Sequence, residues 1–600
     1  MRYPELTELS VSREMIDVFG GYNHNLRIGS GEFYDMKNLT SDDYPILSPR
    51  RQRGVYISEL SKPQGMIAKD SLCYVDGDTL YINEYPIEDS KMTLYTECDT
   101  CPKKATCTKY TEGSTVCEKT MLSMGAYIII MPDKKYINTS DYSDCGDIEA
   151  TVETSSMVTF TLCNVEGAAY DADDSDTAPG SPTNMQYWVD TSSTPNTLKQ
   201  YSSTSATWVA IPTTYIKIHA TGIGAPFEVG DGVTISGIDI GKLSDLNNTM
   251  VIWAKGNDYI VVTGILDEEA KTDAKITVTR QMPKMDFVIE SQNRLWGCRY
   301  GFALNGTVVN EIYASKLGDF KNWNCFASIS TDSYVASVGT DGQFTGAITH
   351  LGYPIFFKEN FMHKVYGNYP ANYQIQTTAC RGVQKGCEKS LAIVNETLYY
   401  KARSSVCAYD GSLPVEMSSA LGDMTYSDAV AGTLGNKYYI SMRDGNGAYN
   451  LFVYDSYKGM WHKEDDMQVS QFCNCRGDLY FIDYGNKQIK TVRGTGTLET
   501  KPIEWEAVTG IIGTDSPDKK YISRMDVRLS LGLGAKASFY AEYDSSGDWE
   551  HIYTIPGTSL RTFPFSIRPK RCDHMRLKIV GLGEAKIFSI CKTIEQGSDV

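Results

Sequence analysis

The stretch NKYYISMRDGNGAYNLFVYDSYKGMWHKEDDMQVSQFCNCRGDLYFID, residues Asn436–Asp483, decides the fold prediction. Aromatic and polar residues alternate over Asn436–Met442, glycines in Asp444–Gly447 supply a tight turn, and Tyr449–Tyr454 follows as a second strand. A further turn leads to Trp461, and an aromatic residue there can cover the hydrophobic face on which neighbouring sheets stack. This order predicts one blade of a β-propeller.

The composition of the whole chain favours an all-β fold with several domains. The 600 residues include 40 Tyr and 51 Gly, and segments with helical periodicity are scarce. The formal charge of −17 disfavours binding of a nucleic-acid backbone by the chain as a whole, and it suits a soluble assembly component. No apolar run reaches the length of a signal peptide or a membrane span, so we expect folding in the cytoplasm and no membrane insertion.

Breaks in the strand pattern divide the chain into five parts. We expect β-propeller blades, five to seven in number, interrupted by a small β-barrel and followed by a separate β-sandwich. The parts are an N-terminal strap (1–64), first blades with a cysteine-rich loop at 96–118 (65–139), the insertion (140–285), the remaining blades (286–499) and the sandwich (500–600). The strap is expected to close the ring by pairing with the last blade, to contact a neighbouring subunit, or to do both.

Four cysteines within twenty residues form the clearest candidate for a metal site. Cys98, Cys101, Cys107 and Cys117 have the spacing C-x2-C-x5-C-x9-C, and four thiolates can bind one structural zinc ion. Two disulfides formed after the chain leaves the reducing cytoplasm, or unligated thiols, remain alternatives. Cys473 and Cys475 are interpreted as one core and one surface residue.

The sequence predicts a non-enzymatic protein. Asp286, Glu290, Asp332 and Asp341 are the carboxylates considered for a glycosidase site at a propeller funnel, and we interpret them as turn and rim residues. No phosphate-binding loop, nucleophile elbow or histidine metal spacing is present in the sequence.

Two basic clusters stand out in this acidic chain and are predicted to be assembly contacts. Solvated surface charge and contact with packaged DNA are the alternatives, although no interleaved aromatics favour base stacking. The clusters are Arg50, Arg51 and Arg53 in the strap, and Arg568, Lys570, Arg571 and Arg576 near the C-terminus.

Three segments resemble the uncharacterised virion structural proteins of tailed bacteriophages and prophages of Gram-positive hosts. They are the strap GGYNHNLRIGSGEFYDMKNLTSDDYPILSPRRQRG (Gly20–Gly54), LFVYDSYKGMWHKED (Leu451–Asp465) and SIRPKRCDHMRLKIVGLGEAKIFSICKTIEQGSDV (Ser566–Val600). In architecture, a strap before a propeller is similar to phage head-closing and tail-nozzle proteins. The inserted barrel and the terminal sandwich depart from that pattern.

The resemblance implies a virion protein of the tail or neck. We expect a homo-oligomeric ring, sixfold in symmetry, that contacts other tail or neck proteins and lines or gates the channel through which DNA passes during ejection. One alternative is a receptor-binding or baseplate protein that recognises host cell-wall glycan, and a second is a propeller glycan hydrolase.

Overall fold

The computed structural model describes residues 11–97, 117–193, 196–265, 270–303, 305–514, 519–567 and 570–596. The fold is all-β, as predicted. The helices in these ranges are short 3-10 segments at Ser90–Met92, Gly241–Leu246, Pro370–Asn372, Glu388–Ser390 and Ser419–Leu421. No helix in this part of the chain is long and apolar enough to cross a membrane.

Six short strands precede the first compact sheet. We call residues 11–57 the N-terminal segment. Its strands are β1 (Val11–Ile16), β2 (Gly21–Tyr22), β3 (Glu32–Lys37), β4 (Leu39–Thr40), β5 (Ser48–Pro49) and β6 (Gly54–Ile57).

Two four-stranded antiparallel sheets follow, in the region where the sequence predicted the first blades. Sheet 1 contains β7 (Pro63–Ala68), β8 (Leu72–Asp76), β9 (Thr79–Ile82) and β10 (Tyr85–Pro86). Sheet 2 contains β11 (Thr120–Met124), β12 (Tyr127–Met131), β13 (Lys135–Asn138) and β14 (Asp141–Asp147). Because β14 completes sheet 2, the predicted start of the insertion at residue 140 is several residues too early.

The insertion contains thirteen strands in three sheets. A four-stranded sheet (β15-β27-β22-β23) and a five-stranded sheet (β24-β25-β21-β16-β26) share one core with Phe160, Val233 and Val278, and β17 to β20 form a third sheet. The strands are β15 (Ala150–Glu153), β16 (Val158–Cys163), β17 (Ala172–Ser175), β18 (Tyr187–Asp190), β19 (Thr197–Ser202), β20 (Thr207–Ala210), β21 (Tyr215–His219), β22 (Gly232–Ser236), β23 (Thr249–Val251), β24 (Ala254–Gly256), β25 (Tyr259–Thr263), β26 (Ala270–Thr272) and β27 (Thr277–Arg280).

Five more groups of four strands follow the insertion. Sheet 3 contains β28 (Phe287–Ser291), β29 (Arg294–Phe302), β30 (Val308–Ala314) and β31 (Tyr334–Ser337). Sheet 4 contains β32 (Phe344–His350), β33 (Tyr353–Lys358), β34 (Phe361–Tyr366) and β35 (Gln374–Ala379). Sheet 5 contains β36 (Ala392–Val394), β37 (Thr397–Lys401), β38 (Val406–Tyr409) and β39 (Val415–Glu416). Sheet 6 contains β40 (Tyr426–Leu434), β41 (Lys437–Asp444), β42 (Tyr449–Asp455) and β43 (Met460–Lys463). Sheet 7 contains β44 (Val469–Cys475), β45 (Asp478–Asp483) and β46 (Gln488–Thr491), with β47 (Thr497–Leu498) at its edge.

Sheets 1 to 7 form a closed cycle of contacts. β7 packs against β11, β11 against β28, and β28 against β32. β32 contacts the 3-10 helix that precedes sheet 5, this helix contacts β40, β40 contacts β44, and β44 returns to β7. Separate hydrophobic cores lie between sheets 1 and 2, 2 and 3, 3 and 4, 6 and 7, and 7 and 1, whereas sheets 4 to 6 share one larger core with the N-terminal segment and the C-terminal strands. Trp461 is buried in this larger core as expected, with its Nε1 donating to the Met417 carbonyl at 2.8 Å.

The N-terminal segment closes this cycle. β6 pairs antiparallel with β46 as the fourth strand of sheet 7, and β47 pairs with its other edge. Gln471 joins sheet 7 to sheet 1, because its side-chain amide donates to the Met66 carbonyl at 2.6 Å and accepts from the Met66 N–H at 3.0 Å. This is the ring-closing arrangement that the sequence offered for the strap.

The C-terminal strands are joined to sheet 6 through the N-terminal segment. They are β48 (Glu504–Thr509), β49 (Lys520–Tyr543), β50 (Glu550–Ser566), β51 (Met575–Leu582) and β52 (Ala585–Gln596). One twelve-stranded sheet runs β1-β52-β49-β51-β48-β3-β2-β43-β42-β41-β40, with β50 paired to β49. The expectation of a separate C-terminal domain is therefore not met, since β2 and β3 link β48 to β43 by backbone hydrogen bonds.

Candidate functional site

A polar cavity of about 610 Å³ lies where the N-terminal segment passes beside sheets 6 and 7. It gathers six cationic side chains and three carboxylates, and we call it the basic cavity. The charged residues that line it are Arg50, Arg51, Arg53, Lys437, Lys458, Arg493, Asp42, Asp455 and Glu464. The three strap arginines singled out in the sequence therefore meet at one site.

Backbone pairing fixes the strap at this cavity. The Arg50 N–H donates to the Asn38 carbonyl at 2.9 Å, and Arg50 Nε donates to Asn38 Oδ1 at 2.8 Å. The Asn38 N–H donates to the Glu464 carbonyl, and β6 begins directly after Arg53. The strap arginines are thus held by strand pairing on both sides.

Arg53 is an internal residue. Its side chain is 1% exposed, and its two terminal nitrogens donate to Glu464 and Asp465, each at 2.6 Å. Burial disfavours the charge, but the two carboxylates outweigh this effect and raise the pKa of the guanidinium. Its buried Nε has no hydrogen-bond partner among the described residues.

The side chain of Arg50 also interacts with carboxylates of the same chain. Its guanidinium lies 3.8 Å from Asp465 and 3.6 Å from Glu499, and burial followed by the nearby charge of Arg53 lowers its pKa. The side chains of Arg50 and Arg53 thus pair with carboxylates of the same chain, and their role as assembly contacts stays a prediction.

The two lysines of the basic cavity have internal partners as well. Lys437 Nζ lies 2.6 Å from Asp42, and Lys458 Nζ lies 3.7 Å from Asp455 and donates to the Ser41 carbonyl. Partial burial opposes the charge of Asp42, but Lys437 outweighs it and the pKa of this carboxyl is lowered. These pairs attach the N-terminal segment to sheet 6.

His462 lies buried beside these lysines. Burial, and then the positive charge of Lys437, lowers its pKa to about 3, and its Nδ1 has no hydrogen-bond partner among the described residues. The imidazole is therefore neutral at physiological pH.

Three residues at the mouth of the basic cavity face outward. Arg51 is exposed and pairs with no carboxylate of the described residues, while exposed Arg493 donates to the Gly477 carbonyl at 3.0 Å. Tyr457 is 83% exposed. Arg51, Arg493 and Tyr457, which we call the rim, are exposed to an outside group, as are Asp42, Gly435 and Asn436 of the same lining. For Arg51 the assembly contact stays a prediction.

The second basic cluster lies elsewhere, on the C-terminal strands. Lys570 pairs with Glu550 and lies 4.8 Å from the centre of the Tyr543 ring, and Arg571 is exposed. Arg576 lies over the Tyr34 ring at 4.5 Å. Arg568 lies outside the described residues, so assembly contact through Arg568, Lys570 and Arg571 stays a prediction.

A second cavity, of about 210 Å³, is lined by residues of sheets 2, 3, 4 and 7 and of the segments that precede sheets 2, 3 and 5, where these sheets contact one another around the cycle. Lys389 crosses it, pairing with Glu118 at 3.0 Å and donating to the Ser470 carbonyl at 3.1 Å. Asp286 and Glu388 also line this space, and burial raises the pKa of Asp286. We call it the axial cavity.

The other carboxylates considered in the sequence serve local structure. Glu290 accepts from the Asn293 N–H at 3.0 Å, Asp332 accepts from the Ile329 N–H at 3.1 Å, and Asp341 is exposed. Glu290 and Asp332 are thus turn residues, with Asp332 buried, and the absence of a catalytic role stays a prediction.

The cysteine cluster falls largely outside the described residues. Cys98, Cys101 and Cys107 are not described, and Cys117 is buried. In the described ranges no group of three or more His, Cys, Asp or Glu side chains is placed to hold a metal ion. Cys473 and Cys475 both pack into the core between sheets 7 and 1, which corrects their assignment to opposite faces, because residues two positions apart on a strand share a face.

Comparisons with known proteins give no family. No family model and no curated protein matches the chain. Among solved structures, exo-β-1,3-galactanase from Phanerochaete chrysosporium with galactose is 10% identical over 51% of this chain and 94% of its own, at a TM-score of 0.21. Trypanosoma rangeli sialidase with 2,3-difluorosialic acid is 9% identical over 96% of both chains, at a TM-score of 0.19. TM-scores this low carry no argument about function.

Proposed function

We propose that the protein is a non-enzymatic structural component of a bacteriophage virion, located in the tail or neck. In this proposal sheets 1 to 7 are the blades of a β-propeller, the insertion adds a small barrel, and the C-terminal strands form a sandwich. Copies of the chain surround the DNA channel as a homo-oligomeric ring, which stays closed while DNA passes.

The observation that carries the proposal is the continuous twelve-stranded sheet. It joins the C-terminal strands, the N-terminal segment and sheet 6, so the backbone itself links parts that would otherwise meet only through side chains. Strand pairing between β6 and β46 closes the sheet cycle in the same way. A molecule built like this resists being pulled apart, because separating its parts requires breaking many backbone hydrogen bonds together.

Charge and sequence resemblance support the location. A net charge of −17 disfavours adhesion of DNA to the chain, as a channel wall for a moving polyanion requires. The resemblance of the strap, of Leu451–Asp465 and of Ser566–Val600 to phage virion proteins points to the same particle.

Electron microscopy of the intact phage and of the purified chain tests this proposal. Antibody against residues 500–600 should label the neck or nozzle, and the free protein should form rings. Label confined to peripheral projections at the tail end would overturn the channel role and favour receptor binding, in which case residues 500–600 should bind host wall glycans on an array.

The axial cavity supports a second candidate, a glycan hydrolase. Glu118, Asp286 and Glu388 line one small space, and a carboxyl with a raised pKa, such as Asp286, is suited to act as a general acid. Release of reducing ends from host wall polymer, lost in Asp286→Asn and retained in Asp341→Asn, would establish this activity. If the native chain and both variants all release no reducing ends, the hydrolase candidate is excluded.

A further inference from the structure

We propose that the basic cavity of one copy receives the acidic edge of the insertion of the next copy, so that a single repeated contact builds the ring. The inference rests on the proposed ring and names the two surfaces that form it. The acidic edge is the strand β17 with its flanking residues, Asp171–Asp176.

The basic cavity is suited to carboxylates from outside. Its buried cations are already neutralised by internal carboxylates, whereas Arg51 and Arg493 are exposed at the rim. Tyr457 stands beside them at 83% exposure, and Arg and Tyr are the side chains most enriched at protein interfaces. The lining as a whole contains more cations than carboxylates, in a chain of strongly negative charge.

The acidic edge has the complementary charge and belongs to the last strand of its sheet. β17 is the edge strand of the sheet β17-β18-β19-β20 and pairs in parallel with β18. Asp171, Asp173 and Asp176 are exposed along it. Asp173 accepts a hydrogen bond from Gln186 at 3.2 Å, and Asp176 accepts one from Thr177 at 3.0 Å, so both keep further acceptor positions.

The positions of the two surfaces fit a ring. The insertion leaves the cycle between sheets 2 and 3, whereas the basic cavity lies beside sheets 6 and 7, across the cycle. In the proposed contact one copy offers the acidic edge of its insertion, and the next copy offers its cavity. A contact between unlike surfaces repeats from copy to copy and closes into a ring when the rotation allows it.

Charge reversal tests the contact. The cavity variant is Arg51→Glu with Arg493→Glu, and the strand variant is Asp171→Lys with Asp173→Lys. Each should self-associate at least about a hundredfold more weakly than the native chain, because like charges then face each other. The matched control, Arg528→Glu with Lys536→Glu, changes the charge equally at exposed positions on β49 and should assemble normally.

Mixing the two variants gives the decisive measurement. In an alternating ring every contact is again between opposite charges, so mass photometry of the equal mixture should show rings of the native mass. Circular dichroism checks that each variant is folded. Native-size rings from either variant alone, or no rings from the mixture, would overturn this contact, while neck labelling would still uphold the proposed function. A native chain that stays monomeric at every concentration, with label away from the neck, would overturn both.

Discussion

At the scale of single residues, the neighbouring arginines of the strap have two different roles, one internal and one at the surface. Arg53 turns inward to Glu464 and Asp465 and lies 5.4 Å from the centre of the Phe481 ring, so it joins the strap to sheets 6 and 7. Arg51, two positions earlier, faces solvent. Strand pairing of the strap decides which arginine is buried.

Removing the buried guanidinium should destabilise the fold strongly. Arg53→Met leaves Glu464 and Asp465 without their partner in a buried setting, which costs about 3–5 kcal/mol. Urea unfolding followed by tryptophan fluorescence measures the change. Arg51→Met is the matched control and should stay within about 0.5 kcal/mol of the native chain. Equal stability of the two variants would contradict the buried ion pair.

His462 should make stability depend on pH. Its pKa is lowered to about 3 by burial, while an unfolded histidine titrates near pH 6.5. Below about pH 6.5 the unfolded chain therefore binds a proton that the folded chain does not bind. The folded state loses about 1.4 kcal/mol per pH unit from this group as the pH falls towards 3.

The comparison of variants isolates this group from the carboxylates. Unfolding free energies of the native chain and of His462→Gln should be measured from pH 7 to pH 4, and the variant should have the shallower slope. His219→Gln, at an exposed histidine, should follow the native slope. Parallel slopes for all three proteins would show that His462 is protonated without cost in the folded state.

The sequence predicted the residues of the basic cavity in part. Three arginines in four positions are visible as a cluster, but Glu464 and Asp465 lie about four hundred residues away, and one sequence without an alignment does not pair them. Lys437, Lys458 and Arg493 were missed, because each is an isolated cation in a turn or at a strand end. Only the closed cycle brings them to the strap.

At the scale of elements, β6 is the strand on which closure of the cycle depends. A Cβ atom on Gly54 would lie 2.1 Å from the Thr495 carbonyl oxygen and 2.6 Å from Thr491 Oγ1. The absence of a side chain here lets β6 fit between β46 and the loop that follows it.

Gly54→Ala should therefore open the junction between the N-terminal segment and sheet 7. The clash with backbone atoms should cost at least about 2 kcal/mol, as overpacking of a tight site commonly does. Limited proteolysis should cut the variant near residues 50–58 much faster than the native chain. Gly339→Ala, where a Cβ would meet nothing within 4 Å, is the control and should resist cleavage normally.

Hydrophobic patterns in the sequence predicted the buried strands of each sheet best and the exposed strands at the outside of each sheet least well. β41 and β42 are almost fully buried, so their hydrophobic residues mark them clearly, and Trp461 was assigned to the interface between sheets correctly. β14 has the sequence DYSDCGD and is largely exposed at the outside of sheet 2, so it carries no hydrophobic pattern. The boundary of the insertion was misplaced for this reason.

At the scale of the whole molecule, the N-terminal segment prevents the C-terminal strands from acting as a separate unit. The strand pattern of the sequence changes near residue 500. Whether the C-terminal strands form an independent domain, however, depends on the strands they pair with, and these lie far away in the chain. β1 pairs with β52, and β3 pairs with β48, so the C-terminal strands complete their sheet with residues from the other end of the chain.

Weakening the N-terminal segment should therefore loosen two distant regions together. Phe33 is 2% exposed on β3, and Phe33→Ala should cost about 3–5 kcal/mol through loss of a buried ring. Hydrogen–deuterium exchange should rise both in β48 and in β43. Trp188→Ala, which removes a buried ring from the sheet β17-β18-β19-β20, should raise exchange within residues 172–210 alone. A rise in only one region for Phe33→Ala would show that the two unfold independently.

Because β6 closes the cycle by pairing with a strand near the other end of the chain, the cycle can close only late in protein synthesis. The ribosome emits residues 54–57 more than four hundred positions before residues 488–491, with which they pair. At about 5–20 residues per second this delay is on the order of 20–90 s. During that interval β6 lacks the strands β46 and β47 with which it pairs, and a chain terminated before residue 488 never gains them. Complete translation is thus a condition for a closed molecule, so unfinished chains are excluded from assembly by their own topology.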